Sequence, residues 1–182
     1  MLSDVLLPLV VAFALGVPIV FVLRRVFVVG GDLRRDAQLG RMALDIVHRT
    51  ELSLDELAMV VDDLRRGKTE PEACEASIRA CGEALSKYAQ EAAVVDKDVT
   101  AAEGGGLRTE VERAQRAVEL IEHGRQLMAV GRVEGMAEGE TSVKRGYLNV
   151  LHARDAIRAK GEAIAAASDP AGAEAGRRLR NR

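Results

Sequence analysis

The chain has 182 residues, 48% of them hydrophobic but only 3% aromatic, with no Trp and a formal net charge of −2. Its core must therefore come from Ala, Val, Leu, Ile and Met, small aliphatic side chains that suit closely approaching helices, and the composition argues against a sheet. Only Asp4, Arg24 and Arg25 are charged before Gly31, so the remainder is mildly acidic and mixed in sign, giving no electrostatic reason to expect a nucleic acid as partner.

The first element is an apolar run. Val5 to Leu23 holds nineteen residues without a charge, fourteen of them Val, Leu, Ile or Phe. At about 1.5 Å per residue such a helix spans close to 30 Å, the hydrocarbon thickness of a bilayer. The run predicts a single transmembrane helix, with residues 1–31 as anchor and juxtamembrane joint. Ala12-Phe13-Ala14 has the form of a signal-peptide cleavage site, but no positive region precedes it and the apolar run continues beyond. Arg24 and Arg25 abut the span, with Arg34 and Arg35 a little further on, and no Lys or Arg precedes it. The positive-inside rule then predicts an outward N-terminus and a cytoplasmic helical domain at the cell's inner membrane. Pro18 predicts a bend near Gly16, and Gly30-Gly31 a joint.

Residues 32–168 are expected to form an all-α antiparallel bundle of long amphipathic helices. Asp32 can cap a helix from Leu33 to about Thr50. Ser53-Leu54-Asp55-Glu56 has the form of a capping box, which starts a new turn or re-aims the same helix. Leu54, Leu57, Ala58, Val61 and Leu64 make the buried stripe up to Arg65-Arg66-Gly67, a C-terminal signature. Whether this helix packs on the bundle or on a membrane surface is open at this level.

Thr69-Glu70-Pro71-Glu72 reads as a second capping box. After it Cys74, Ile78, Cys81, Leu85, Tyr88, Ala92, Val95 and Val99 recur at steps of four and three, a coiled-coil-like seam. Glu75 with Arg79 and Glu83 with Lys87 are favourable i,i+4 pairs. Cys74 and Cys81 lie about 10 Å apart along such a helix, too far to form a disulfide.

Gly104-Gly105-Gly106 predicts a reversal, then a helix from near Leu107 with Val111, Ala114, Val118, Ile121 and Met128 on one face. Arg125 interrupts that face, and Leu120 and Leu127 widen it. Gly131, Gly135 and Gly139 repeat every four residues among charged neighbours that exclude a membrane setting, so fraying toward a loop is expected. Thr141 or Ser142 is then the cap of a last helix carrying Val143, Tyr147, Val150, Leu151, Ile157 and Ile164. Residues 169–182, with Pro170, Gly172 and Arg177, Arg178, Arg180 and Arg182, are expected to be a disordered basic tail.

No chemistry-bearing motif emerges, so the expected catalytic, cofactor-binding and metal-binding residues are none. Gly135 to Thr141 superficially resembles a phosphate loop, yet its glycine spacing is short and Glu140 stands where a lysine is required. His48, His123 and His152 lack the Glu-x-x-His pattern of di-iron bundles and are expected at the surface or its boundary. Cys74 and Cys81 are expected as inert fillers on the apolar seam.

In general layout the chain resembles LemA-type membrane proteins: an outward N-terminus, one span, long antiparallel cytoplasmic helices. The resemblance lies in organisation, with no shared motif, and transfers no residue role. The stator b subunit of ATP synthases also begins with one span, but Gly67 and the triple glycine contradict its unbroken arm. The expected function is a membrane-anchored helical scaffold or interaction protein, its partners the lipid bilayer and either another protein or a second copy through the helical seams. A signalling relay through the bundle is the alternative, and a helical enzyme is the third reading. No small-molecule substrate is evident.

Overall fold

The structure is a computed structural model that describes residues 37–99, 106–131 and 133–168, and every regular element among them is helical. The expected span over Val5–Leu23, its flanking arginines and the tail from residue 169 lie outside the described residues. No described helix is long and apolar enough to cross a membrane. The bundle belongs to a compact unit that begins at Leu39.

Helix α1 occupies residues 37–65 without interruption. The apolar stripe is the reason: Leu39, Ala43, Ile46, Val47, Leu54, Leu57, Val61 and Leu64 are all buried, and their phase does not break at Ser53. Ser53 is therefore not a cap. Its hydroxyl donates to the Arg49 carbonyl at 3.1 Å, and the buried Thr50 does the same to Ile46 at 2.7 Å, as mid-helix Ser and Thr do. The helix ends as its sequence predicts. Gly67 has φ 65°, its N–H donates to the Leu64 carbonyl (3.0 Å), and the Lys68 N–H reaches back to Asp63 (2.9 Å). These are the two bonds of a Schellman motif.

The expected box at Thr69 is also corrected. Pro71 restricts the residue before it to extended backbone, and Glu70 sits at φ −72°, ψ 148°. That moves the helix start past Thr69, and Glu70 becomes an N-cap with no side-chain cap bond. A 3-10 turn over Pro71–Cys74 leads into α2, Glu75–Asp98. The seam of α2 is as expected, with Ile78, Cys81, Leu85, Ala92 and Val95 buried, Ala89 added, and Tyr88 and Val99 partly buried against the core.

Helix α3 runs Leu107–Ala129 behind Gly106, whose φ of 137° suits glycine alone. No cap comes from Gly106. The Asp96 carboxylate of α2 accepts instead from the Leu107 and Arg108 N–H groups at 3.2 and 3.0 Å, closing the α2–α3 connection with an acid at a helix N-terminus. Gly131, at φ 71°, terminates α3.

Helix α4, Val133–Ser168, starts earlier than expected and includes Gly135 and Gly139. The expected fraying and the cap at Thr141 or Ser142 are thus both corrected; Thr141 donates to the Ala137 carbonyl inside the helix. The reason lies across the interface. A Cβ on Gly124 would stand 2.7 Å from the Gly139 carbonyl oxygen, and one on Gly139 would stand 2.7 Å from that of Gly124. The α3 and α4 backbones touch there, and Gly146 lies as close to Ala117 and Ile121. Close packing of this kind offsets the roughly 1 kcal/mol that glycine costs a helix.

Neighbouring helices are antiparallel. Gly40 lies against Ala165 and Ser168, Gly161 against Val47, and Arg154 and Arg158 pair with Asp55 and Glu51, which joins α4 to α1. Arg49 pairs with Glu91 at 2.6 Å and stacks over Tyr88, joining α1 to α2. Helix α1 therefore packs on the bundle. One core cluster draws on all four helices. Residue 40 and Ser168 thus share one end of the bundle, and the Gly67 and Gly131 turns share the other.

Candidate functional site

The turn end carries a large surface groove. The Schellman turn of α1 and the 3-10 turn bring Leu64, Arg65, Glu70 and Pro71 against Met128 of α3 and Met136, Glu140 and Val143 of α4, around a space of about 540 Å³. Arg65 is held in its wall by Asp62 (3.2 Å) and by the Tyr147 ring, 4.6 Å from its guanidinium carbon. Beside the groove, Val130, Val133 and Met136 are exposed, Val133 to 86%. Such a surface can take an apolar side chain between charged rims. It brings no nucleophile and base together.

A second groove, about 440 Å³, runs between α2 and α3 over Ile78, Gly82 and Val118, with Glu119, His123 and Gln126 along it. Next to it lies a polar arrangement that sequence reasoning missed. Arg125, read as an interruption of the apolar face, is itself buried, its side chain 7% exposed. It donates through Nε and Nη2 to both Glu122 carboxylate oxygens at 2.7 Å, and Glu75 of α2 stands 3.7 Å away. Gln126 adds a 2.8 Å bond to Glu122. The hydrogen bonds from Arg125, more than those from Gln126, hold the Glu122 carboxyl below its ordinary value against the opposing effect of burial. The arrangement ties α2 to α3 and satisfies a buried cation; both acids are already engaged by arginines, Glu75 also with Arg79.

Of the histidines and cysteines singled out by the sequence, His123 lines the second groove and the others line neither. His48, His123 and His152 are exposed and sit on three different helices. Cys74 and Cys81 are buried and free. Burial pushes the Cys81 thiol up to about 12, and Cys74 is raised by the same cause. Their sulfurs lie 3.7 and 3.6 Å from the Glu70 and Ser53 carbonyls. A thiol so raised supplies almost no thiolate at neutral pH. Gly135 to Thr141 is helical, part of a helix that begins at Val133, and so is not the loop between strand and helix that cradles phosphate. Among the described residues no three His, Cys, Asp or Glu side chains are grouped to hold a metal ion.

No family model matches the chain, and neither the curated proteins nor the solved structures contain a detectable match.

Proposed function

We propose that the chain is a single-pass membrane protein whose helical bundle acts as a scaffold, docking a partner protein or accessory subunit at the cytoplasmic face of the inner membrane. One contrast carries the reading. Among the described residues the core cluster is drawn from one apolar stripe of each of four amphipathic helices, whereas the run from Val5 to Leu23 carries no charge on any face. Fourteen large apolar residues at roughly −0.3 to −0.6 kcal/mol each favour a bilayer by several kcal/mol. Arg24 and Arg25 supply the flank that keeps the bundle on the cytoplasmic side. Because the amphipathic seams are buried within the chain, a partner would be met by the outer faces of the helices.

The test has two stages. Membranes are washed in alkaline carbonate and centrifuged; a chain that stays in the supernatant ends the anchor reading. The protein is then purified in mild detergent and its companions identified by mass spectrometry. A stoichiometric companion, another protein or a second copy, supports the scaffold. A lone monomer whose helix spacing changes with conditions would turn the reading to a signalling relay.

A further inference from the structure

The outer surface of the bundle is uneven. Among the described residues, seven of the nine exposed large apolar side chains lie on α1 or α4, which are neighbours. On α1, Leu44, Leu52 and Met59 are 43%, 52% and 73% exposed. At about 100° per residue they fall within an arc of about 80°. That arc excludes Val47, which meets α4, and Arg49, which meets α2. On α4, Leu148 is 46% exposed, and the exposed Ala159, Ala163 and Ala166 continue the same side of the helix. Charge divides along the same line. The contacts of Val47 with Gly161, Glu51 with Arg158 and Asp55 with Arg154 fix which residues of the two helices share a height. Residues 44–65 of α1 hold six acids against two arginines, and residues 144–165, the stretch of α4 level with them, hold five basic side chains against two acids.

We propose that this α1–α4 face docks a second copy of the chain, related to the first by a two-fold axis parallel to the helices. The inference rests on the docking reading and deepens it by naming the surface and its occupant; it does not rest on the anchor. Such an axis leaves every residue at its own height and sets α1 of each copy on α4 of the other. Leu44 then meets Ala163 and Ala166, Leu52 meets Ala159, and Met59 meets Leu148, each within one helical turn of the shared height. Asp62 comes to Lys144 and His48 to Glu162 by the same register. Asp55 comes level with Asp155, and Arg154 already bonds to both. A two-fold axis across the helices would instead lay α1 on α1, acid on acid. An anionic lipid surface is disfavoured too, because Asp55 and Asp62 lie in the same arc as the apolar side chains. Two helices about 10 Å apart over this length present a face of about 33 by 20 Å. Covering it on both copies removes about 1,300 Å² from water, within the range of specific stable interfaces.

The experiment uses the full chain in mild detergent, its protein mass measured by light scattering and its companions by mass spectrometry. The expected result is a dimer at micromolar concentration. Leu52→Glu with Met59→Glu should raise its dissociation constant at least about tenfold. Both side chains are exposed, so helical circular dichroism should stay unchanged, and Val94→Glu, on the exposed side of α2, should leave the dimer intact. Chains carrying Met59→Cys and chains carrying Leu148→Cys are also co-expressed and mildly oxidised, with Cys74 and Cys81 protected by burial. A disulfide-linked dimer should form from the pair and from neither variant alone. Linkage by Met59→Cys alone overturns the parallel axis, and a dimer indifferent to the two glutamates overturns this face. A monomer that holds a different protein in fixed ratio overturns the second copy and leaves the docking reading standing. A monomer without a companion overturns both.

Discussion

Arg125 shows what a buried charge demands of its neighbours. A guanidinium placed on an apolar helix face stays in the fold when its donors meet carboxylates, and Glu122 supplies both oxygens one turn back. The sign of the resulting pH dependence is set by the depressed Glu122 carboxyl. Its contribution is complete above the ordinary value of 4.5 and disappears as pH falls through the lower folded-state value. Replacing Glu122 by Gln should lower stability by about 1 kcal/mol at pH 7, given a partly exposed partner. That difference should shrink steadily below pH 4.5, the value from which the carboxyl is depressed. Denaturant titrations of both proteins between neutral and acid pH measure it; a gap independent of pH would remove the electrostatic account. The sequence showed Arg125 only as a break in a pattern. Glu122, three positions back, lies within reach of a local rule, but Glu75, fifty positions away, became visible only once α2 and α3 were side by side.

At the scale of elements, apolar periodicity and the start of α3 at Leu107 were legible, and the other described helix starts were not. The α2 seam and the Gly67 stop come from local rules, since both depend on residues within two turns of one another. The caps at Ser53, Thr69 and Thr141 satisfied the same kind of local rule and were overruled. An uninterrupted stripe carried α1 through Ser53, Pro71 shifted the start of the next helix, and close backbone contact kept α4 helical through its glycines. A signal for the last was present. The buried face of α4 alternates Gly139, Gly146, Ala153 and Gly161 with Val143, Val150, Ile157 and Ile164, small against large. Two glycine substitutions should therefore have opposite effects. Gly139→Ala places a methyl 2.7 Å from a backbone oxygen and should destabilise by about 1–3 kcal/mol. Gly82→Ala meets only Val118 at 4.0 Å and should be neutral or stabilise by about 0.5–1 kcal/mol. Thermal melts of the two variants decide it, and equal shifts of the same sign would refute the backbone contact.

For the whole molecule, one cluster fed by four helices implies that the core opens as a unit. Cys81 reports on it, being buried in the second turn of α2 with a thiol raised to about 12. Under native conditions Ellman's reagent should react with it only through opening. Across a urea series its reactivity should rise with the same midpoint as the loss of helical circular dichroism. Fast reaction in buffer would mean that α2 detaches alone. The bundle as a whole was legible as fold class. Its candidate surfaces were not, because one groove arises where turns from distant parts of the chain converge and the other between α2 and α3, and none of their residues forms a local motif.

The pairing of α1 with α4 at the end where one begins and the other finishes also sets how the bundle bears a load. Tension applied through residues 37 and 168 pulls two adjacent strips of an antiparallel pair from the same side. The Gly40–Ser168 contact is stressed first, then Val47–Gly161, then the Glu51–Arg158 and Asp55–Arg154 pairs in turn. Bonds loaded one after another yield as a zipper does, at far lower force than the same bonds sheared together.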